Sequence, residues 1–416
     1  MHCCPGMSGQ KKHARPEPAA DQDRLALAAI GMEAEFVLLL DDVPVKPEDV
    51  FGSPRNFIRG ELMHRRGTSY HLPNGGAIYF DTGVIEIATP VIEIEKGCAA
   101  RAARSLWEGI HFVRAELDAW EAAEGRDARL AGFSTHYNIS FDAPPNGNPD
   151  RNVHQLAYLL TYILPAPVML LAANRRSTGV GVRPRGDRVE VTVDFTPSPA
   201  LMVATGSVIT GIVREVMTWD SFTLDELEKR GIPVFAGFAP VPHTSRKGWL
   251  ARFSSFPENP FASSPNAVSW RTTDGRIRSL RGIARDILGV FSTSIHRISD
   301  PFTFRFILRV LSGRAPSLLD LPDRPQEYED VGRACVWEEL FPRRWVNHSR
   351  YERVLIRAIA GQRLHLFDRW YTPVGMRGWS RVVFQRDDDH TRHTFPIDFL
   401  LTHLRRWDGR RARARA

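Results

Sequence analysis

Residues 30–40 read Ile-Gly-Met-Glu-Ala-Glu-Phe-Val-Leu-Leu-Leu, and the way this stretch folds decides the rest. Extended, it places Met32, Ala34, Phe36 and Leu38 on one face and Glu33 and Glu35 on the other, because successive side chains of a strand point to opposite sides. The two carboxylates then stand about 6.6 Å apart, at two rises of ~3.3 Å. They repel by roughly 2 kcal/mol at an effective dielectric of ~20, and burial sharpens the repulsion unless a cation intervenes. A solvent-facing strand accommodates the pair as well as a metal does, so this stretch alone leaves both readings open.

Three further segments share its design. In Asn74–Pro90 (NGGAIYFDTGVIEIATP), two β-rich runs, Ala77–Phe80 and Val84–Ala88, flank the turn-forming Asp81-Thr82-Gly83. Glu86 falls mid-strand among apolar neighbours, a costly place for an unpaired carboxylate. Asp81-Thr82-Gly83 also matches the aspartic-protease tripeptide, but that chemistry needs two such aspartates sharing a proton and the chain has one. In Gly132–Phe141, His136, Asn138 and Ser140 alternate with Tyr137, Ile139 and Phe141. In Arg188–Phe195, Arg188, Glu190, Thr192 and Asp194 alternate with Val189, Val191, Val193 and Phe195. Just upstream, Asn174–Arg185 reads as a glycine-containing loop carrying Arg183 and Arg185. Guanidinium groups suit phosphate oxygens because their fork binds two at once, although arginine is abundant throughout this chain and a plain surface loop fits too.

Together the four segments describe one antiparallel sheet, α+β in class, with an apolar covered face. Its other face carries Glu33, Glu35, Glu86, His136, Glu190 and Asp194. Hard carboxylate oxygens with one imidazole suit Mg²⁺ or Mn²⁺ better than zinc, and magnesium keeps part of its shell for nucleotide phosphates. The sheet therefore reads as a place where divalent cations hold ATP over a concave surface.

These residues resemble the glutamine-synthetase-like carboxylate–amine ligases. Gly31-Met-Glu33-Ala-Glu35-Phe36 is similar to the Gly-x-Glu-x-Glu-[Phe/Tyr] strand of glutamate–cysteine ligases and of the Pup ligase and depupylase group. Asn74, Gly75, Tyr79, Asp81, Glu86, Thr89 and Pro90 follow the order and spacing of that last group; His136-Tyr-Asn138 and Arg188-Val-Glu190 resemble two later strands. The resemblance covers roughly residues 29–195. It departs where the family has a histidine between Asp81 and Glu86, here Val84, and where the late strand lacks a second arginine. It implies a glutamine-synthetase-like curved antiparallel sheet with helices on its convex face and a mixed C-terminal region. It further implies Glu33, Glu35, Glu86, His136 and Glu190 as metal ligands and Asp81 as base. Arg188 is then expected at the acyl phosphate, and Arg183, Arg185, Asn138 and Ser140 at the nucleotide.

The activity so implied joins a carboxylate substrate to an amine substrate, small molecule or protein side chain, with ATP and Mg²⁺ (or Mn²⁺) and through an acyl phosphate. Rival readings are an amide hydrolase of the depupylase kind, a guanidino-type kinase, and an inactive metal- or nucleotide-binding interaction protein.

The rest of the chain narrows the field. Of the net charge of +7, the last twelve residues supply +5, six arginines against Asp408, and the other +2 is near neutral. Nucleic acid is therefore expected only as a weak contact of the basic tail. Four scattered cysteines, Cys3, Cys4, Cys98 and Cys335, give no disulfide framework, and residues 1–24 lack the apolar core of a signal peptide. Leu156–Ala173 is apolar, but Pro165 and Pro167 break it into two short buried helices rather than a membrane span. The expectation is a cytoplasmic protein with no membrane partner. A helix is expected over 99–123, with Leu106, Ile110, Val113, Leu117 and Trp120 on one stripe, and another over 200–230. The division expected is an unstructured segment 1–24, a catalytic domain 25–280 whose last fifty residues are long loops, a helix-rich region 281–404 and a basic tail 405–416. Asp387-Asp388-Asp389-His390, with His393 nearby, suggests a second metal site, but consecutive residues cannot all face one ion on regular structure, and an exposed loop is the expectation.

Overall fold

The computed structural model describes residues 25–142, 151–243, 248–321, 330–331 and 348–409. Expectations for residues 1–24, Cys335 and residues 410–416 lie outside these. The stretch quoted first is the centre of a twelve-stranded antiparallel sheet. In chain order its strands are β1 (Ala29–Leu40), β2 (Val43–Val45), β3 (Met63–Arg66), β4 (Ser69–His71), β5 (Ala77–Asp81), β6 (Val84–Ala88) and β7 (Ile92–Glu93). Then come β8 (Ala128–Ser140), β9 (Val180–Arg185), β10 (Arg188–Asp194), β11 (Val241–Pro242) and β12 (Trp249–Ala251). Their spatial order is β11-β12-β9-β10-β8-β1-β6-β5-β4-β3, with β2 and β7 also paired to β1.

Alternation along β1 holds as read: Met32, Ala34, Phe36 and Leu38 are fully buried. They pack under the helix Cys98–Glu124, which presents Leu106, Ile110, Val113 and Leu117. Each large apolar side chain so buried contributes about 1.5–3 kcal/mol. The helix Pro199–Val216, N-capped by Ser198, covers the same face. It is long and apolar enough to cross a membrane, and it is the buried core helix of this fold. The apolar run at 156–173 forms two helices, Val153–Ile163 and Pro165–Ala172, bent by 63° where Pro165 opens the second.

Two local features set the site's geometry. Thr82 (φ 55°) and Gly83 (φ 94°) both lie in the left-handed region, giving the two-residue hairpin whose twist matches its strands. Asp81 is thereby the last residue of β5 rather than part of the turn. In β8, Glu35 faces Ser134 but Phe36 faces Gly132, so Phe133 is an extra, bulged residue, 59% exposed. A Cβ on Gly132 would sit 2.1 Å from the Phe195 ring, which packs edge-on against Phe36. Only glycine fits there.

The arginine-rich segment expected as a loop is instead partly strand: residues 180–185 form β9, between β10 and β12. Pro184 hid it, because proline disfavours central strands. It is tolerated because β12 pairs only with Val180–Val182, leaving Pro184 beyond its end.

The chain beyond residue 280 divides between two apolar cores. Helices Leu280–Val290, Ser292–Ile298 and Pro301–Leu311 join the large core beneath the sheet. Residues 348–409 build a separate, smaller core from Tyr351, Val354, Leu355, Tyr371, Phe384 and Leu400 among others. There, after a short ribbon β13 (Trp270–Arg271) and β14 (Ile277–Arg278), a second sheet forms from β15 (Leu364–Leu366), β16 (Arg369–Arg377), β17 (Arg381–Arg386) and β18 (Arg392–Pro396). Glu93 of β7 caps this unit's helix Arg350–Ile359 by accepting from the Tyr351 amide at 3.1 Å, so the small unit is tied to the large sheet. The last helix, Ile397–Gly409, runs into the segment expected to be an unstructured tail. Asp387, Asp388 and Asp389 lie on the β17–β18 turn, paired with Arg363, Arg369 and Arg386; it is a surface turn, as expected.

Candidate active site

Strand pairing brings the expected residues into rows across the uncovered face of the sheet. One row runs Thr192, His136, Glu33, Ala88; the next runs Asp194, Ser134, Glu35, Glu86, Tyr79. Glu35 and Glu86 are thus cross-strand partners, and His136 lies opposite Glu33. Oxygen and nitrogen atoms of Glu35, Glu86 and His136 all come within 4.8 Å of one another, as do those of Glu33, His136 and Glu190.

Crowding has an electrostatic consequence. Burial and the neighbouring charge of Glu33 push the Glu86 carboxyl up to about 9. Burial would raise Glu33 as well, but a hydrogen bond from His136 and the positive charges of His136 and Arg188 outweigh it and hold Glu33 down to about 2. The pair therefore shares one proton, carried by Glu86 and hydrogen-bonded to Glu33. Tyr79, whose own hydroxyl burial holds well above its ordinary value, donates to Glu86 Oε1. Ser134 Oγ donates to Glu35 Oε2 at 2.5 Å. A group of acids that must keep a proton in order to coexist suits a hard divalent cation, which would take the proton's place.

Glu190, 1% exposed, is engaged by two arginines. Arg185 Nε reaches its Oε2 at 2.9 Å and Arg185 Nη2 its Oε1 at 3.0 Å, while Arg183 pairs with Oε1. Cross-strand register explains this: Arg183 stands directly opposite Glu190. Its charge is met by protein cations, and Arg183 and Arg185, expected at phosphates, are spent on that pairing. Asp194 Oδ2 accepts from the Asn174 amide at 3.0 Å, holding the segment before β9.

Beside Glu33 opens a cavity of about 380 Å³. Arg188, Asn138, Ser140 and Asp187 form one wall, Arg65 and Tyr79 another, and Leu25, Val91 and Phe141 an apolar part; Gly378-Trp379-Ser380 of the β16–β17 turn also lines it. Arg188 Nε donates to Asn138 Oδ1 at 2.9 Å, which aims the guanidinium along the sheet. Ser140 Oγ accepts from the Ala29 amide at 2.9 Å. Arg65 and Trp379 are cavity residues that the sequence reading missed. Arg65 lies under the Trp379 ring at 4.5 Å and makes no ion pair with any described residue. Only four residues long and polar, β3 offered no periodicity to find it. Asp81 is outside the cavity. It shares the face of Tyr79 and Glu86, one row beyond them, with Thr82 Oγ1 donating to it at 2.8 Å.

No protein-family model and no curated protein matches the sequence. Solved structures do. The fold is similar to that of the Pup ligase PafA in its complex with the prokaryotic ubiquitin-like protein Pup, with a TM-score of 0.49 and 11% identity over 92% of this chain and 93% of that one. It is also similar to PafA in complex with ADP, with a TM-score of 0.41 and 12% identity over 82% of this chain and 90% of that one.

Proposed function

We propose that this chain is an ATP- and Mg²⁺-dependent carboxylate–amine ligase that forms an amide through an acyl phosphate. The observation that carries the reading is the meeting of Glu33, Glu35 and Glu86 on one sheet face, protonated to coexist, beside a cavity walled by Arg65 and Arg188. Glu33, Glu35 and Glu86 would hold the cation, with His136 beside them; when bound, it supplies charge neutralisation for transferring phosphate oxygens. Arg65 and Arg188 bind anionic oxygens in the cavity, Asn138 orients Arg188, and the Trp379 ring packs on Arg65.

In the first half-reaction a substrate carboxylate oxygen takes the terminal phosphoryl group of ATP, and ADP leaves. In the second, the amine attacks the acyl carbon and phosphate leaves. An alkyl amine, with an ordinary value near that of lysine at about 10.4, must lose a proton to attack. Asp81 is the base. It stands about 7–8 Å diagonally from Glu86, on the side of the acids away from the cavity, so the amine approaches from the end opposite the nucleotide.

Incubation with ATP, Mg²⁺ and panels of acids and amines tests the reading: ADP together with a new amide mass is expected. ADP with only a phosphorylated product would make the chain a kinase, and an amide cleaved without net ATP use would make it a hydrolase. Asp81→Asn separates the two half-reactions. Hydroxylamine is unprotonated at neutral pH and needs no base, so the variant should still form a hydroxamate from the activated acid while losing amide formation with an alkyl amine. Loss of both products equally would remove Asp81 from the role of base.

A further inference from the structure

Two sets of ligating atoms meet at His136, one toward Glu35 and Glu86 and one toward Glu33 and Glu190. In the second set the place of a cation is already taken. Arg183 lies with its guanidinium buried between Glu190 and His136: it pairs with Glu190 Oε1, and its Nη2 is 3.3 Å from His136 Nε2. His136 Nε2 also lies 3.1 Å from Ser134 Oγ, and its Nδ1 faces Glu33 Oε2 at 3.4 Å. The guanidinium thus fills the space between Glu190 and the imidazole that a second ion would need.

Glu190 is equally committed. Both of its oxygens accept from Arg185, and Oε1 accepts from Arg183 as well. Two guanidiniums against one carboxylate leave a surplus positive charge, fixed on Arg183 and directed at the acidic row. Lodging a divalent ion there would set it against that charge and against a donor already aimed at the only imidazole. The other set has no such occupant: among the described residues neither Glu35 nor Glu86 makes an ion pair with an arginine.

We propose that the site takes one divalent cation, held at Glu33, Glu35 and Glu86 beside His136, and that Arg183 stands as a built-in monovalent substitute for a second. This rests on the ligase reading for the cation's presence, and goes beyond it in number and placement.

Mn²⁺ binding to the full chain, followed by electron paramagnetic resonance, tests the proposal. One Mn²⁺ per chain, with an uncoupled signal, is expected for the wild type and for Arg183→Lys. Arg183→Gln, alone or with Arg185→Gln, should admit a second ion and give the exchange-coupled signal of two neighbouring Mn²⁺. Two coupled ions in the wild type would overturn the proposal and leave the ligase reading intact. No bound Mn²⁺ in the wild type would sink the metal site of the ligase reading itself. The wild-type count decides the matter even if the glutamine variants fail to fold.

Discussion

The proton shared by Glu33 and Glu86 gives the fold a pH dependence that one substitution removes. Burial and Glu33 push Glu86 from 4.5 up to about 9. Between those limits the folded chain keeps a proton that the unfolded chain has released. The unfolded state then binds fewer protons, so stability falls as pH rises through this window. Glu33 has the opposite sign: held from 4.5 down to about 2, it contributes stability present above its unfolded value and lost only as pH falls toward 2. From about pH 6 to about pH 8.5 Glu86 therefore lowers stability while Glu33 adds no slope, and His348, raised by its Glu352 partner, is common to wild type and variant and cancels between them. Over these ~2.5 pH units, at about 1.36 kcal/mol per unit, the loss is about 3 kcal/mol. Glu86→Gln keeps the shape and the acceptor for Tyr79 but has nothing to ionise. Urea denaturation in EDTA at the two pH values should show the wild type losing about 3 kcal/mol more than the variant. Saturating Mg²⁺ should flatten the wild-type slope, because ionised Glu86 is then the bound form, and should release a proton on binding. Equal slopes for wild type and variant without metal would refute the shared proton.

Glu35→Gln is expected to abolish ADP production, because it removes a cation donor paired directly with Glu86, whereas Asp387→Asn should leave ADP production unchanged. The Asp387 pairs are with Arg363 and Thr372 on the surface turn, and its loss should move stability by less than about 1 kcal/mol in urea melts. Arg65→Met should weaken ATP binding about tenfold or more in calorimetry while sparing Mn²⁺ affinity, since hydrogen bonds to charged groups are worth about 1.5–3 kcal/mol. Gly132→Ala drives a methyl against the Phe195 ring and should destabilise by about 1–3 kcal/mol; combining it with Phe195→Leu should recover part of that loss.

The parts of this site that could be read from sequence are those where burial enforces a pattern. A strand that must bury Met32, Ala34, Phe36 and Leu38 has no choice about where Glu33 and Glu35 point. The same holds for His136 against Tyr137 and Ile139, and for Glu190 against Val189 and Val191. Pairing then had only to align the rows. What stayed hidden depends on neighbours distant in sequence. Arg65 sits on a four-residue edge strand, and Trp379 on a hairpin turn more than 300 positions from Glu33; neither carries a periodic signal. The extra residue Phe133 is invisible to alternation, since a bulge breaks the period that defines the strand. β9 was masked by Pro184, which reads as a strand breaker until the missing neighbour beyond it is known. With β9 unseen, the cross-strand pairing of Arg183 with Glu190 was unseen too, and Glu190 looked like a ligand in want of a metal.

That last point bears on how charge is arranged across the face. From the Arg188 end of the sheet face the rows run Arg188 with Asn138, then Glu190 clamped by Arg183 and Arg185, then Glu33 with His136, then Glu35 with Glu86 and Tyr79, and at last Asp81. On the ligase reading Arg188 serves a nucleotide's phosphates. Glu35 and Glu86, which make no ion pair with an arginine among the described residues, stand where that reading puts a cation. Asp81 on the hairpin comes last, where it puts the base. A purely structural ion-pair network would interleave its charges to neutralise each one locally, as the Asp387–Asp389 turn does with Arg363, Arg369 and Arg386. Here Glu33, Glu35 and Glu86 are left crowded together instead. Such crowding lowers stability in the absence of ligands, and on the ligase reading a bound cation would relieve it.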